Sequence, residues 1–260
     1  MRNPTMALRW MEIVEKHDAR KALAACLESD WHMQDSRVAR WVFSQIGHEE
    51  PYLGLRWDLI QRWYQEPLCP PEILVEWAKH LARISATWDE VKELFLKALS
   101  VGGIPFDTWM AMAYAATSRC PISDVLEYVR SALFARPGDP SAIAFLGGVL
   151  NEAGEHSSAV LCTSIAIRVF PDQGPYLLSH SLALEKLFRL DEAIYFAEAA
   201  LARMPNNPEP YKHLAFCEIR ASRAERALEV LRKAANIFTQ NTVILSNLLY
   251  CENYKVTSHL

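Results

Sequence analysis

Small and large apolar residues recur along this chain in a fixed phase, and the phase predicts paired helices. Ala98, Ala132, Ala166, Ala200 and Ala234 recur at one constant interval, every thirty-fourth position. Seven positions before them come Val91, Val125, Ala159, Ala193 and Ala227. Seven residues make two helical turns, so each pair shares one helix face, where small side chains let a neighbouring helix approach closely. Pro137, Pro171 and Pro205 follow the middle three at five residues. Each ends its helix, because proline lacks an N–H donor and clashes with the preceding turn. The helix before carries a second ladder: Trp109, Ile143, Leu177, Tyr211 and Leu245. Three residues on stand Met112, Leu146, His180, Leu214 and Leu248, then the small Ala113, Gly147, Ser181 and Ala215. Several ladders in one phase make a two-helix repeat.

Helix starts are marked as well. Asp139-Pro140 and Asn207-Pro208 place a capping residue before proline at the first helical position. Thr87-x-x-Glu90 and Ser222-x-x-Glu225 read as capping boxes opening second helices. The whole arrangement resembles the tetratricopeptide repeat, over five units starting near 72, 106, 140, 174 and 208. Departures are His180 in place of leucine, Gly103 and Thr239 in place of proline, and Lys79 at a small position. The resemblance implies an all-α, right-handed α-solenoid of antiparallel helix hairpins. Residues 72–241 would be the repeats and 242–260 a capping helix and tail. Residues 1–71 read as tryptophan-rich helical hairpins, over about 5–16, 18–28, 36–47 and 52–64, capping the array. Their tryptophans are expected in the core rather than in a ligand cage.

Composition narrows the function classes. At 260 residues with 51% hydrophobic and 22% charged positions, this is the profile of a packed globular chain. A net charge of −4 gives no bulk attraction to nucleic acid. Arg220, Arg223, Arg226, Arg232 and Lys233 are interleaved with Glu218, Glu225 and Glu229, the pattern of a solvated helix face. Apolar runs fall short of a membrane helix, and the amino terminus lacks the apolar stretch of a signal peptide. The six cysteines form no CxxC pair and read as buried thiols in a cytoplasmic protein. The sequence holds no phosphate loop, no GxGxxG, no HExxH, no GxSxG and no histidine pair at zinc spacing. No catalysis, metal or cofactor is therefore expected; His180 falls at a packing position and His213 at a groove position, and both are expected to be satisfied histidines rather than ligands.

What remains is the groove. In the resembled family, certain positions of each first helix line a concave surface. Carried over, they are Met110, Ala111 and Tyr114; Ala144, Phe145 and Gly148; Leu178, Ser179, Leu182 and Glu185; Lys212, His213 and Phe216; and Ser246, Asn247 and Tyr250. This lining reads as apolar and aromatic with few charges. Protein-binding candidates are Met110, Tyr114, Phe145, Gly148, Leu178, Leu182, Lys212, Phe216 and Tyr250. Tyr114, Phe145, Leu178 and Phe216 are expected to form one apolar stripe. Of the paired lysines and asparagines with which chaperone-binding members clamp a carboxylate only Lys212 stands at such a place, and of the asparagine ladder of glycosyltransferase-linked members only Asn247 matches. Residues 246–254 nevertheless resemble the segment joining repeats to catalytic lobes in bacterial O-linked N-acetylglucosamine transferases. The expectation is a non-catalytic scaffold that binds a peptide or helix of a protein partner. The alternative is the substrate-recognition region, or a relative, of a protein O-glycosyltransferase.

Overall fold

The structure, a computed structural model, describes residues 35–45, 53–66, 69–84 and 86–257, with a few positions between 23 and 32. The expected helix over 5–16 and most of the one over 18–28 lie outside the described residues. Among the described residues there is no strand. The chain divides into two compact units, residues 1–135 and 136–260.

The first unit contains α1 (Ser36–Gln45), α2 (Leu53–Trp63), α3 (Pro71–Arg83), α4 (Trp88–Ser100), α5 (Pro105–Ala116) and α6 (Ile122–Ala135). The second contains α7 (Pro140–Glu152), α8 (His156–Val169), α9 (Gly174–Lys186), α10 (Leu190–Arg203), α11 (Pro208–Arg220), α12 (Ala224–Ile237) and α13 (Thr242–Thr257). From α3 onward the helices pair as hairpins in sequence order. Every member of both small-residue ladders, from Val91 and Ala98 to Ala227 and Ala234, is buried. Close approach is visible at Gly147, where a Cβ would come within 2.7 Å of Thr163 Cγ2 on α8.

Ends of helices follow the sequence at three places. Thr87 and Glu90 complete a capping box at the start of α4, while Asp139 and Asn207 accept from backbone N–H groups opening α7 and α11. The box expected at Ser222 does not form. Ser222 has φ +61° and ends α11, and Arg223 occupies the cap of α12 without a side-chain bond. The reason is a shared turn. Gly154, Phe188 and Ser222 lie one repeat length apart, all with positive φ. After each, an N–H reaches back across the turn: Glu155 to Leu150 O at 2.9 Å, Arg189 to Leu184 O at 3.0 Å, Arg223 to Glu218 O at 2.8 Å. This satisfies helix-end carbonyls, but a left-handed residue cannot also cap the next helix.

In the first unit the core joins Val38, Val42 and Phe43 of α1 to Leu59, Ile60 and Trp63 of α2 and to Ile73 and Leu74 of α3. Trp63 donates its indole N–H to His32 O at 3.0 Å. Trp57 meets Trp77 edge to face at 6.0 Å, and both pack against this core. The described tryptophans of residues 1–71, Trp41, Trp57 and Trp63, thus belong to packing, as aromatic area and geometry favour. Trp10 and Trp31 lie outside the described residues.

Candidate functional site

Each unit carries candidate surface on its first helices. In the first unit, α3 and α5 bound two adjoining cavities of about 440 and 600 Å³ that share Lys79 and Asp107. Their lining mixes apolar and charged side chains. Arg56 of α2 lines the smaller cavity; its guanidinium sits 4.0 Å over the Phe43 ring and donates to Phe43 O at 3.4 Å. Glu76 lies 4.0 Å from the same guanidinium. Burial lowers the pKa of Arg56 while Glu76 raises it, and burial dominates. The larger cavity adds Arg83, Met110, Ala111, Tyr114 and Arg119. Arg119 is held in place by the carbonyls of Ile84 and Ala86 at 2.7 and 2.9 Å.

The lining in this unit keeps apolar residues but holds more charges than the sequence suggests. The charges come from Arg56, which precedes the repeats, from Glu72, Glu76, Lys79 and Arg83 of α3, and from Asp107 and Arg119. Met110 and Ala111 are buried, so little of either side chain is presented. Tyr114, at 55% exposure, is presented.

In the second unit Phe145, Gly148, Leu178, Leu182 and Lys212 are half-buried, and Phe216 (47%) and Tyr250 (63%) are exposed. A Cβ at Gly148 would meet only Ser179 Oγ, at 4.0 Å, so the surface has a recess there. Lys212 Nζ pairs with Glu209 at 2.5 Å. Ala144, Glu185 and His213, which the family positions place in the groove lining, are buried. Phe145, Leu178 and Phe216 belong to α7, α9 and α11 of this unit, whereas Tyr114 belongs to the other.

Both histidines are structural donors. Thr163 Oγ1 donates to Ala159 O at 2.8 Å and therefore accepts from His180 Nδ1 at 2.7 Å. Ser181 Oγ donates to Ala193 O at 2.6 Å and accepts from His213 Nε2 at 2.8 Å. Burial pushes the His213 pKa down to about 4 and lowers that of His180 as well. Burial thus disfavours the protonated form of both rings. Among the described residues no cluster of three or more His, Cys, Asp or Glu could hold a metal. No helix there is long and apolar enough to cross a membrane.

One group escaped the sequence reading. Phe188, 73% exposed, lies at the turn after α9, with the Arg220 guanidinium 4.3 Å above its ring. Its place one repeat after Gly154 was a signal that it occupies a turn, though not that it would be exposed.

Comparison with known proteins agrees with this fold. Residues 186–246 match the tetratricopeptide repeat family model. MamA of Desulfovibrio magneticus RS-1, from residue 41 to its end, superposes with a TM-score of 0.59 at 14% identity, over 69% of this chain and 99% of that one. PilF of Pseudomonas aeruginosa gives 0.60 at 16% identity, over 71% and 83%. YrrB, described as a TPR protein with an unusual peptide-binding site, gives 0.54 at 17%, over 67% and 89%. No curated protein sequence matches the chain. Hairpins in register, buried small-residue ladders and these matches give the chain an all-α helical-repeat fold, in which residues 186–246 are similar to tetratricopeptide repeats.

Proposed function

We propose that this protein is a non-catalytic scaffold that holds a peptide or helix of a protein partner against its first helices. One observation carries the reading. Tyr114 and Phe216 are exposed on first helices whose small ladder residues, Ala113 and Ala215, are already buried, and Tyr250 is exposed on α13, so packing does not require aromatic side chains at the first two places. Covering such a side chain is worth about 1.5–3 kcal/mol before ordering costs. The peptide-binding site named for YrrB lends the same fold a precedent. None of the matches named above is a transferase, so the resemblance of residues 246–254 to a transferase linker gains no support from them.

Phe145→Ser combined with Phe216→Ser tests the reading. The double variant is expected to lose partners captured by the wild-type chain, while its melting temperature changes little. Unfolding of the variant would assign both residues to the core. A folded variant that still captures the same partners would move recognition off the first helices. Incubation with labelled nucleotide sugar and candidate proteins is expected to give no transfer, which separates the scaffold from the transferase alternative.

A further inference from the structure

Phe188 breaks a local rule without structural need. The equivalent turns one repeat to either side are held by Gly154 and Ser222, with φ of 84° and 61°. Phe188 adopts φ 58°, a region in which a bulky side chain is a genuine outlier and glycine is at ease. The side chain gains little from burial in exchange, since the residue is 73% exposed. Its partner is the Arg220 guanidinium at 4.3 Å, which also lies 5.8 Å from the Phe216 ring. Two exposed aromatics thus flank one guanidinium. That guanidinium is fixed from below, because it pairs with the buried carboxylate of Glu185. Fixing a long side chain in advance removes part of the entropy that binding would otherwise cost.

We propose that Phe188, Arg220 and Phe216 form an anchor site for an aromatic side chain carried on an acidic segment of a protein partner. The proposal rests on the scaffold reading and names the chemistry of what the scaffold holds. An incoming ring can meet both phenyl rings at their edges and the guanidinium at its face. Arginine with aromatic neighbours is also the composition that dominates binding energy at interfaces. Charge sets the flanks. Lys212, Phe216 and Arg220 recur every four residues on one face of α11, and Lys186 lies 3.2 Å from Glu185. Three cations here share two carboxylates, Glu185 and Glu209, so acidic neighbours of the anchor are favoured and basic ones repelled.

A random-peptide phage library panned on the full chain tests this, with the selected peptides then synthesised and titrated. The decisive variant is Phe188→Gly, because glycine suits the turn and separates recognition from folding. Selected peptides are expected to carry Trp, Tyr or Phe beside Asp or Glu. They should bind Phe188→Gly about tenfold or more weakly and bind Phe188→Tyr nearly as wild type, and Phe188→Gly should melt no lower than wild type. A lower melt for Phe188→Gly would make the ring a packing element and overturn the proposal. So would enriched peptides without an aromatic residue. Peptides that ignore Phe188→Gly but are lost with Phe145→Ser would overturn the anchor and leave the scaffold reading standing. Failure to enrich any peptide would remove both.

Discussion

His213 stands at a position where the repeat pattern calls for a groove residue, yet it turns inward to donate to Ser181 on the neighbouring first helix. The partner decides this. Ser181 already spends its proton on Ala193 O, so its oxygen offers a lone pair inside the protein, and a buried lone pair left unmet is costly. Nothing in the spacing of His213 reveals that choice, because the groove and core positions of a helix differ by one residue. The consequence is a pH dependence with a definite sign. The folded His213 has a pKa of about 4 against an ordinary value of 6.5, and burial lowers that of His180 too. Between those values the unfolded chain takes up protons that the fold refuses, so stability declines as pH falls from about 6.5 toward 4. For His213 alone the loss approaches roughly 3 kcal/mol at the acid end. His213→Gln keeps an N–H for Ser181 and does not titrate. Urea melts at about pH 7 and about pH 4.5 should differ clearly for wild type and much less for the variant; equal losses would place the acid sensitivity elsewhere.

Within α7 two adjacent glycines answer to different neighbours. Gly147 faces α8, where an added Cβ would lie 2.7 Å from Thr163 Cγ2 and 3.3 Å from both Ala159 O and Cys162 Cβ. Gly148 faces open space apart from Ser179 Oγ. Gly147→Ala should therefore overpack the hairpin and cost about 1–3 kcal/mol. Gly148→Ala should instead gain up to about 1 kcal/mol from helix propensity. Chemical denaturation of the two single variants checks the pair, and shifts of the same sign would mean the phase of α7 is misassigned. That phase was legible in the sequence because Gly147 falls on a ladder with Ala113, Ser181 and Ala215. Helix ends were legible only where the connection leaves room. Asp139 precedes Pro140 in a loop of its own and caps α7 as read. Between α11 and α12 three residues must both end one helix and begin the next. Ser222 is consumed by the left-handed turn, and its Ser-x-x-Glu spelling misleads.

Across the chain, the repeat could be read from spacing because close helix packing forces small residues into register at every thirty-fourth position. The surface could be read only in part. Arg56 reaches the α3–α5 cavity from a hairpin outside the repeat pattern, and Phe188 is exposed at a left-handed turn where the neighbouring repeats carry Gly154 and Ser222. Register also predicts how stability is distributed, since in repeat arrays each helix is held by its neighbours. In the second unit α9 packs against α7, α8, α10 and α11, and Ala183 and Leu184 are fully buried. Among the described residues α13 packs only against α11 and α12, and Val243, Leu245, Leu249 and Tyr250 remain exposed. Opening α13 therefore exposes less new apolar surface than opening α9, and local openings follow that cost. Native-state hydrogen exchange should find the amides of α13 exchanging first and those around Ala183 and Leu184 last, under conditions where residues 140–257 remain folded. Equal protection along α9 and α13 would mean that the unit opens all at once, and would remove nearest-neighbour packing as the source of its stability.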